Sequence, residues 1–139
     1  MGRVAMADVE EWLIEAKTAR QEGRLKDAAQ LYERAAGAET HVLRAGHARR
    51  HAAEIWIKNG QVSEGRAAIA KVMEVYRAQG VGGLELANAL RVQGLAAEVA
   101  GEFTEARAAW SEAGQLYEEV GAAEGVAEAK RRVAKMSAA

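Results

Sequence analysis

Residues 60–80 read GQVSEGRAAIAKVMEVYRAQG, and residues 101–121 read GEFTEARAAWSEAGQLYEEVG. The two stretches align without a gap at a shift of 41 residues, and each begins and ends with glycine. Tyr76 falls on Tyr117, and further along the same shift places Arg91 on Arg132. Chance would match alanines in an alanine-rich chain, but it would not readily match glycine and tyrosine in one register. We therefore interpret the two stretches as copies of one repeated unit.

A third copy lies nearer the N-terminus at a different spacing. The segment EGRLKDAAQLYERA aligns with GEFTEARAAWSEA, so that Gly23 matches Gly101 and Tyr32 matches Trp110. In each copy, apolar residues recur three and four positions apart and glycine follows, which is typical of a helix, a tight turn and a second helix. We expect Asp8, with Glu11 completing a capping box, and Ser63 to cap helices, and a further helix to begin at Thr104.

The pattern predicts an all-α protein with a single domain at residues 1–139. Proline, which would interrupt helices, is absent, and the chain is rich in alanine, glutamate, arginine and leucine. The predicted architecture is an α-α superhelix, a right-handed solenoid of three helical hairpins followed by a C-terminal capping helix that covers the last apolar face. The hairpins are expected at about 8–36, 40–78 and 84–120, and the capping helix at about 123–136.

The repeats resemble the tetratricopeptide repeat family, whose members place a small residue in the first helix, a glycine before the second, and then alanine, an aromatic residue and alanine. Trp12 corresponds to the aromatic near the start of the family's first helix. The Gly23-to-Gly60 and Gly60-to-Gly101 spacings are 37 and 41 residues, longer than the family's 34 and similar to repeats in bacterial regulatory proteins. The matching positions are Ala16, Gly23, Ala28, Tyr32 and Ala35; Ala53, Gly60, Gly65, Ile69 and Val72; and Gly94, Gly101, Ala106, Trp110 and Ala113.

The resemblance implies a scaffold that binds another protein or a peptide in a groove lined by the first helix of each hairpin, without catalysis. Carried onto this chain, the groove would be mostly basic, although the net charge of the whole protein is −1. A basic groove favours an acidic segment or a free C-terminal carboxylate. Solvated surface residues are the alternative interpretation of the same side chains. The expected groove residues are Lys17, Arg20, His47, Arg50, His51, Glu54, Lys58, Asn88 and Arg91.

Metal binding and catalysis receive little support from the residues. His47, His51 and Glu54 share one helical face, but a metal would need further ligands, and exposed histidines beside arginines are the commoner case. The glycines at 80–83 lack both a preceding strand and the lysine of a phosphate loop, so a helix connection is the better interpretation. We expect no enzyme activity, no catalytic residues, no metal and no cofactor.

Other classes of partner are disfavoured by charge and hydropathy. Acids balance bases, so nothing draws the chain to nucleic acid beyond local clusters such as 130–132. Apolar runs are too short to cross a membrane, and the absence of cysteine fits a reducing cytoplasm. We therefore expect a cytoplasmic protein with neither nucleic acid nor membrane among its partners.

Self-association is the alternative function. A short repeat array must cover its end faces, and the first helix has apolar residues beyond those needed for stacking. If Leu13 or Ile14 points outward, the N-terminal helices could form a two-fold homodimer in place of a separate peptide complex.

Overall fold

The computed structural model describes residues 5–137, which form seven α-helices and no strand. The prediction of an all-α protein is therefore confirmed for this part of the chain, and each helix begins within about two residues of its expected position. Each helix is joined to the next by a short connection. The helices are α1 (Met6–Gln21), α2 (Leu25–Ala38), α3 (Val42–Lys58), α4 (Val62–Gln79), α5 (Gly83–Val99), α6 (Phe103–Glu119) and α7 (Ala123–Ser137).

The expected helix starts were wrong by one or two residues. Helix α1 begins before Asp8, whose carboxylate instead accepts a hydrogen bond from the Ala5 backbone N–H at 3.3 Å. Helix α4 begins before Ser63 and helix α6 before Thr104, so both hydroxyl residues lie in a first turn and not at the N-cap. The turns that precede these helices are so short that backbone geometry determines where each helix begins.

Glycine turns end five of the helices with the same pair of backbone hydrogen bonds. At Gly60, whose φ is +81°, the glycine N–H donates to the Ile57 carbonyl and the Gln61 N–H donates to the Trp56 carbonyl. This is the Schellman arrangement, which needs the left-handed conformation that glycine adopts without steric cost. The arrangement recurs at Gly23, Gly80, Gly101 and Gly121.

The described chain divides between residues 68 and 69, inside α4, into an N-terminal unit and a C-terminal unit. In the N-terminal unit, α1 packs on α2 and α2 packs on α3. Small alanines allow these helices to approach closely, and a few large side chains fill the space that remains. The core of the unit consists of Ala16, Ala19, Ala28, Ala29, Tyr32, Ala36, Ala48, Ala52, Ile55 and Trp56.

The C-terminal unit is built by packing α5 on α6 and α6 on α7 around Trp110, which is fully buried. A Cβ atom on Gly94 of α5 would lie 2.7–2.9 Å from three atoms of the Trp110 ring. The indole therefore packs directly on the α5 backbone, and only glycine leaves room for it. The surrounding core contains Ala97, Ala106, Ala129 and Met136.

The two apolar side chains on which the homodimer expectation depends point in different directions. Leu13 is partly buried against the core of the N-terminal unit, whereas Ile14 is 65% exposed. Helix α1 thus presents one large apolar residue to solvent in its middle. None of the described helices combines the length and the apolar character needed to cross a membrane.

Candidate functional site

The strongest polar cluster of the N-terminal unit lies on one face of α3. An Arg50 NH2 nitrogen is 3.2 Å from His47 Nδ1, and His47 Nε2 is 2.9 Å from His51 Nε2. The other guanidinium nitrogen of Arg50 donates to Glu54 at 3.2 Å. These four residues are spaced three or four positions apart, so successive turns of the helix bring them together.

The order of donors along this chain assigns the protons. A guanidinium has donors only, so Arg50 must donate to His47 Nδ1. His47 then carries its proton on Nε2 and donates to His51 Nε2, which leaves the His51 proton on Nδ1. Both imidazoles are therefore neutral while the chain of hydrogen bonds is intact.

Two donors in the cluster are buried and lack an acceptor. They are His51 Nδ1 and Arg50 Nε, and the Arg50 side chain is only 13% exposed. Glu54 is the only carboxylate that pairs with the cluster. A buried polar hydrogen without an acceptor is unfavourable, so the cluster has more donors than the chain provides acceptors for.

Side chains from α1 and α2 complete the surroundings of the histidine pair. The His51 ring stacks on Tyr32 of α2, with 5.3 Å between ring centroids and 25° between planes. Burial, and then the positive charges of His47, Arg50, Arg20 and Lys17, lowers the pKa of His51 to about 4. Lys17 and Arg20 belong to α1, so α1 and α3 contribute positive charge to the same region.

The predicted groove residues of the N-terminal unit are thus largely brought together. We call Lys17, Arg20, His47, Arg50 and His51 the basic cluster. Lys58 lies exposed in the last turn of α3, one turn beyond Glu54 and outside the chain of hydrogen bonds.

Asn88 and Arg91, the predicted groove residues of α5, have partners within the C-terminal unit. The Tyr117 hydroxyl donates to Asn88 Oδ1 at 2.7 Å. Arg91 donates from Nε and NH2 to the two carboxylate oxygens of Glu128 on α7, at 2.7 and 3.3 Å. Burial favours a higher pKa for Glu128, but the bond from Arg91 and the charges of Arg91, Arg132 and Arg131 outweigh it, so the pKa lies below its ordinary value.

A second carboxylate connects α5, α6 and α7. Glu98 accepts from Trp110 Nε1 at 2.7 Å and from Arg132 at 2.9 Å, and the Arg132 guanidinium lies 5.5 Å from the Trp110 ring centroid. The sequence analysis did not assign roles to Glu128 or Tyr32. The shift of 41 residues that relates Arg50, Arg91 and Arg132 was the available signal, since it places an arginine at one register of α3, α5 and α7.

Potential metal ligands do not converge in residues 5–137, where no group of three histidine, aspartate or glutamate side chains is arranged to hold an ion. In the histidine pair, each Nε2 is directed at the other ring. A metal ion between them would have to displace their hydrogen bond.

Comparison with known proteins does not assign the chain to a family. No family model matches the sequence, and no curated protein matches it significantly.

Proposed function

We propose that the chain is a tetratricopeptide-like α-α superhelix that binds an acidic protein segment or a free C-terminal carboxylate on the α1–α3 surface. The excess of donors in the basic cluster carries this proposal. Arg50 Nε and His51 Nδ1 lack acceptors, and Lys17 and Arg20 add positive charge from α1. Carboxylates supply acceptor oxygens and negative charge together, so they are the ligand chemistry that complements the cluster best.

Several features support the proposed repeat architecture. The helices pack on their neighbours in chain order, and the same glycine turn recurs at five helix ends. The contact between Gly94 and Trp110 is the pairing of a small residue with an aromatic that the resemblance implies. Such arrays commonly present the first helices of their hairpins to a ligand, and α1 and α3 hold those positions here.

The surface would recognise charge and not a particular folded partner. Lys17 is exposed, and Arg20 is partly exposed, so both can reach a ligand without rearrangement. Arg50 is held by Glu54 and His47 and therefore offers a preoriented guanidinium. Preorganised donors reduce the entropy cost of binding, and electrostatic steering would make the association rate depend on salt.

The test uses a fluorescein-labelled, glutamate-rich peptide of about 12 residues with a free C-terminus, at low salt. We expect Lys17→Glu combined with Arg20→Glu to weaken binding at least tenfold, since the variant reverses two charges beside the cluster. Fluorescence anisotropy measures the dissociation constant. The same peptide with an amidated C-terminus reports whether the terminal carboxylate contributes.

The matched control is Arg131→Glu combined with Lys135→Glu, which makes the same change in net charge on exposed residues of α7. This variant should bind the peptide with an affinity within about threefold of the wild type. Equal losses in the two variants, or equal binding of a lysine-rich peptide, would contradict the proposed site.

A further inference from the structure

An apolar cleft lies between α6 and α7, on a surface of the C-terminal unit that the proposed peptide site does not use. Its volume is about 350 Å³, roughly twice the 150 Å³ cavity that binds benzene in an engineered apolar core. The cleft can therefore accept more than one aliphatic side chain. Its lining includes Trp110, Gly114, Val126, Ala129, Lys130 and Val133.

Helix α1 presents a matching apolar face. Ile14 lies in the middle of the helix and is 65% exposed, and Met6, eight residues earlier on the same face, is 48% exposed. Within residues 5–137, every other exposed large apolar side chain lies at or next to a helix end. These are Leu43, Leu84, Val99, Phe103 and Val120.

The spacing on the two surfaces agrees. Met6 and Ile14 are separated by about 12 Å at 1.5 Å per residue, and so are Val126 and Ala134, between which the cleft extends along α7. Glu10 lies midway between the two apolar residues of α1. Lys130 lies midway along the α7 side of the cleft, so Glu10 and Lys130 meet whether the two helices run parallel or antiparallel.

The charges around the two surfaces are also complementary. The exposed charges of α1 before Lys17 are all acidic, namely Asp8, Glu10, Glu11 and Glu15. In the second half of α7 the exposed charges are all basic, namely Lys130, Arg131 and Lys135. Opposite charges around an apolar centre are the usual arrangement of a specific interface.

We propose that the occupant of this cleft is helix α1 of a second copy of the chain, with Ile14 and Met6 in the cleft and Glu10 against Lys130. The two contacting surfaces differ, so the contact is heterologous and every bound copy offers another α1 and another cleft. A two-fold contact between two α1 helices would cover Ile14 but would leave the cleft and the basic face of α7 without a partner. A single helix buries little area, so the association is weak and weakens further with added salt.

Sedimentation velocity from about 10 µM to about 1 mM tests the proposal. The wild type should form species larger than a dimer as the concentration rises. Ile14→Ser should raise the dissociation constant at least tenfold without unfolding the chain, because the side chain is mostly exposed. Val99→Ser is the control, since Val99 is 59% exposed and lies outside both surfaces.

Charge exchange distinguishes the two geometries. Glu10→Lys alone and Lys130→Glu alone should each remain monomeric, whereas an equimolar mixture should associate, because each variant then finds the opposite charge on the other. A contact between two α1 helices would instead be indifferent to Lys130→Glu. That indifference, a wild type that stays monomeric at about 1 mM, or undiminished association of Ile14→Ser would each overturn the proposal.

Discussion

The α3 surface of the N-terminal unit and the α5 surface of the C-terminal unit place an arginine at the same register, yet the two arginines have different partners. Arg91 donates to both oxygens of Glu128 from α7. Arg50 has Glu54 and His47 of its own helix as partners, and its Nε is buried without an acceptor. The comparison shows that equivalent positions in a repeat do not imply equivalent roles, because the neighbouring helix decides whether a carboxylate is available.

The same contrast extends to the neighbouring positions. At one register α3 has His51 and α5 has Val92, and at another α3 has Ile57 and α5 has Glu98. In the C-terminal unit the polar groups of three helices satisfy one another and serve stability. In the N-terminal unit donors exceed acceptors, which is the condition that favours a ligand. Substitutions at these registers should therefore affect stability in one unit and binding in the other.

The largest effect is expected for Glu98→Ala. The substitution leaves Trp110 Nε1 without its acceptor and Arg132 without its ion-pair partner, and the Glu98 side chain is only 14% exposed. We expect a loss of about 2–3 kcal/mol in the free energy of unfolding, measured by urea denaturation. Glu112→Ala is the control. It removes the exposed pair with Arg77 and should cost less than about 1 kcal/mol. Similar losses for the two variants would refute the structural role of Glu98.

A smaller effect is expected for Gly94→Ala, which places in α5 the residue that α3 has at the equivalent Ala53. The added Cβ would meet the rigid, buried Trp110 ring, so overpacking should cost about 1–2 kcal/mol even though alanine is the better helix former. In contrast, Gly37→Ala should stabilise the chain by about 0.5–1 kcal/mol, since nothing lies within 4 Å of the added carbon. Thermal unfolding followed by circular dichroism measures both, and a stabilising Gly94→Ala would mean that the indole does not pack on the α5 backbone.

The smallest effect is expected for His51→Val, which gives α3 the residue that α5 has at that register. Near pH 7.5 the stability should change by less than about 1 kcal/mol. The pKa of His51 is about 4 in the folded chain against an ordinary 6.5, so between these values the unfolded chain binds a proton that the folded chain does not. The wild type therefore loses stability as the pH falls from 6.5 to 4, and the variant should lose less.

Urea titrations at several pH values provide the measurement for His51→Val. Any pH dependence that comes from Glu128 or other carboxylates is common to both proteins and cancels in the difference. A difference between the two proteins that does not change from pH 6.5 to pH 4 would show that His51 is not held neutral by its surroundings.

The sequence by itself determined the helices, their order and the glycine turns between them, because these depend on residues within a few positions of one another. Apolar spacing along Val9, Ala16 and Ala19, for example, already identified the buried face of α1. It also placed most of the basic cluster together, because His47, Arg50 and His51 belong to one helical turn. The exact helix starts at Ser63 and Thr104 were missed because short turns override the preference of a hydroxyl residue for the N-cap.

Only the tertiary structure decided which of the predicted groove residues already have partners. Arg91 and Glu128 are 37 residues apart, and Asn88 and Tyr117 are 29 apart, so no local pattern relates them. The side on which α7 packs determines that Glu128 reaches Arg91 and that Glu98 lies between Trp110 and Arg132. Hydrogen bonds between helices depend on packing, which side-chain volume such as the indole against Gly94 sets, and the periodicity of the sequence contains no distance between one helix and the next.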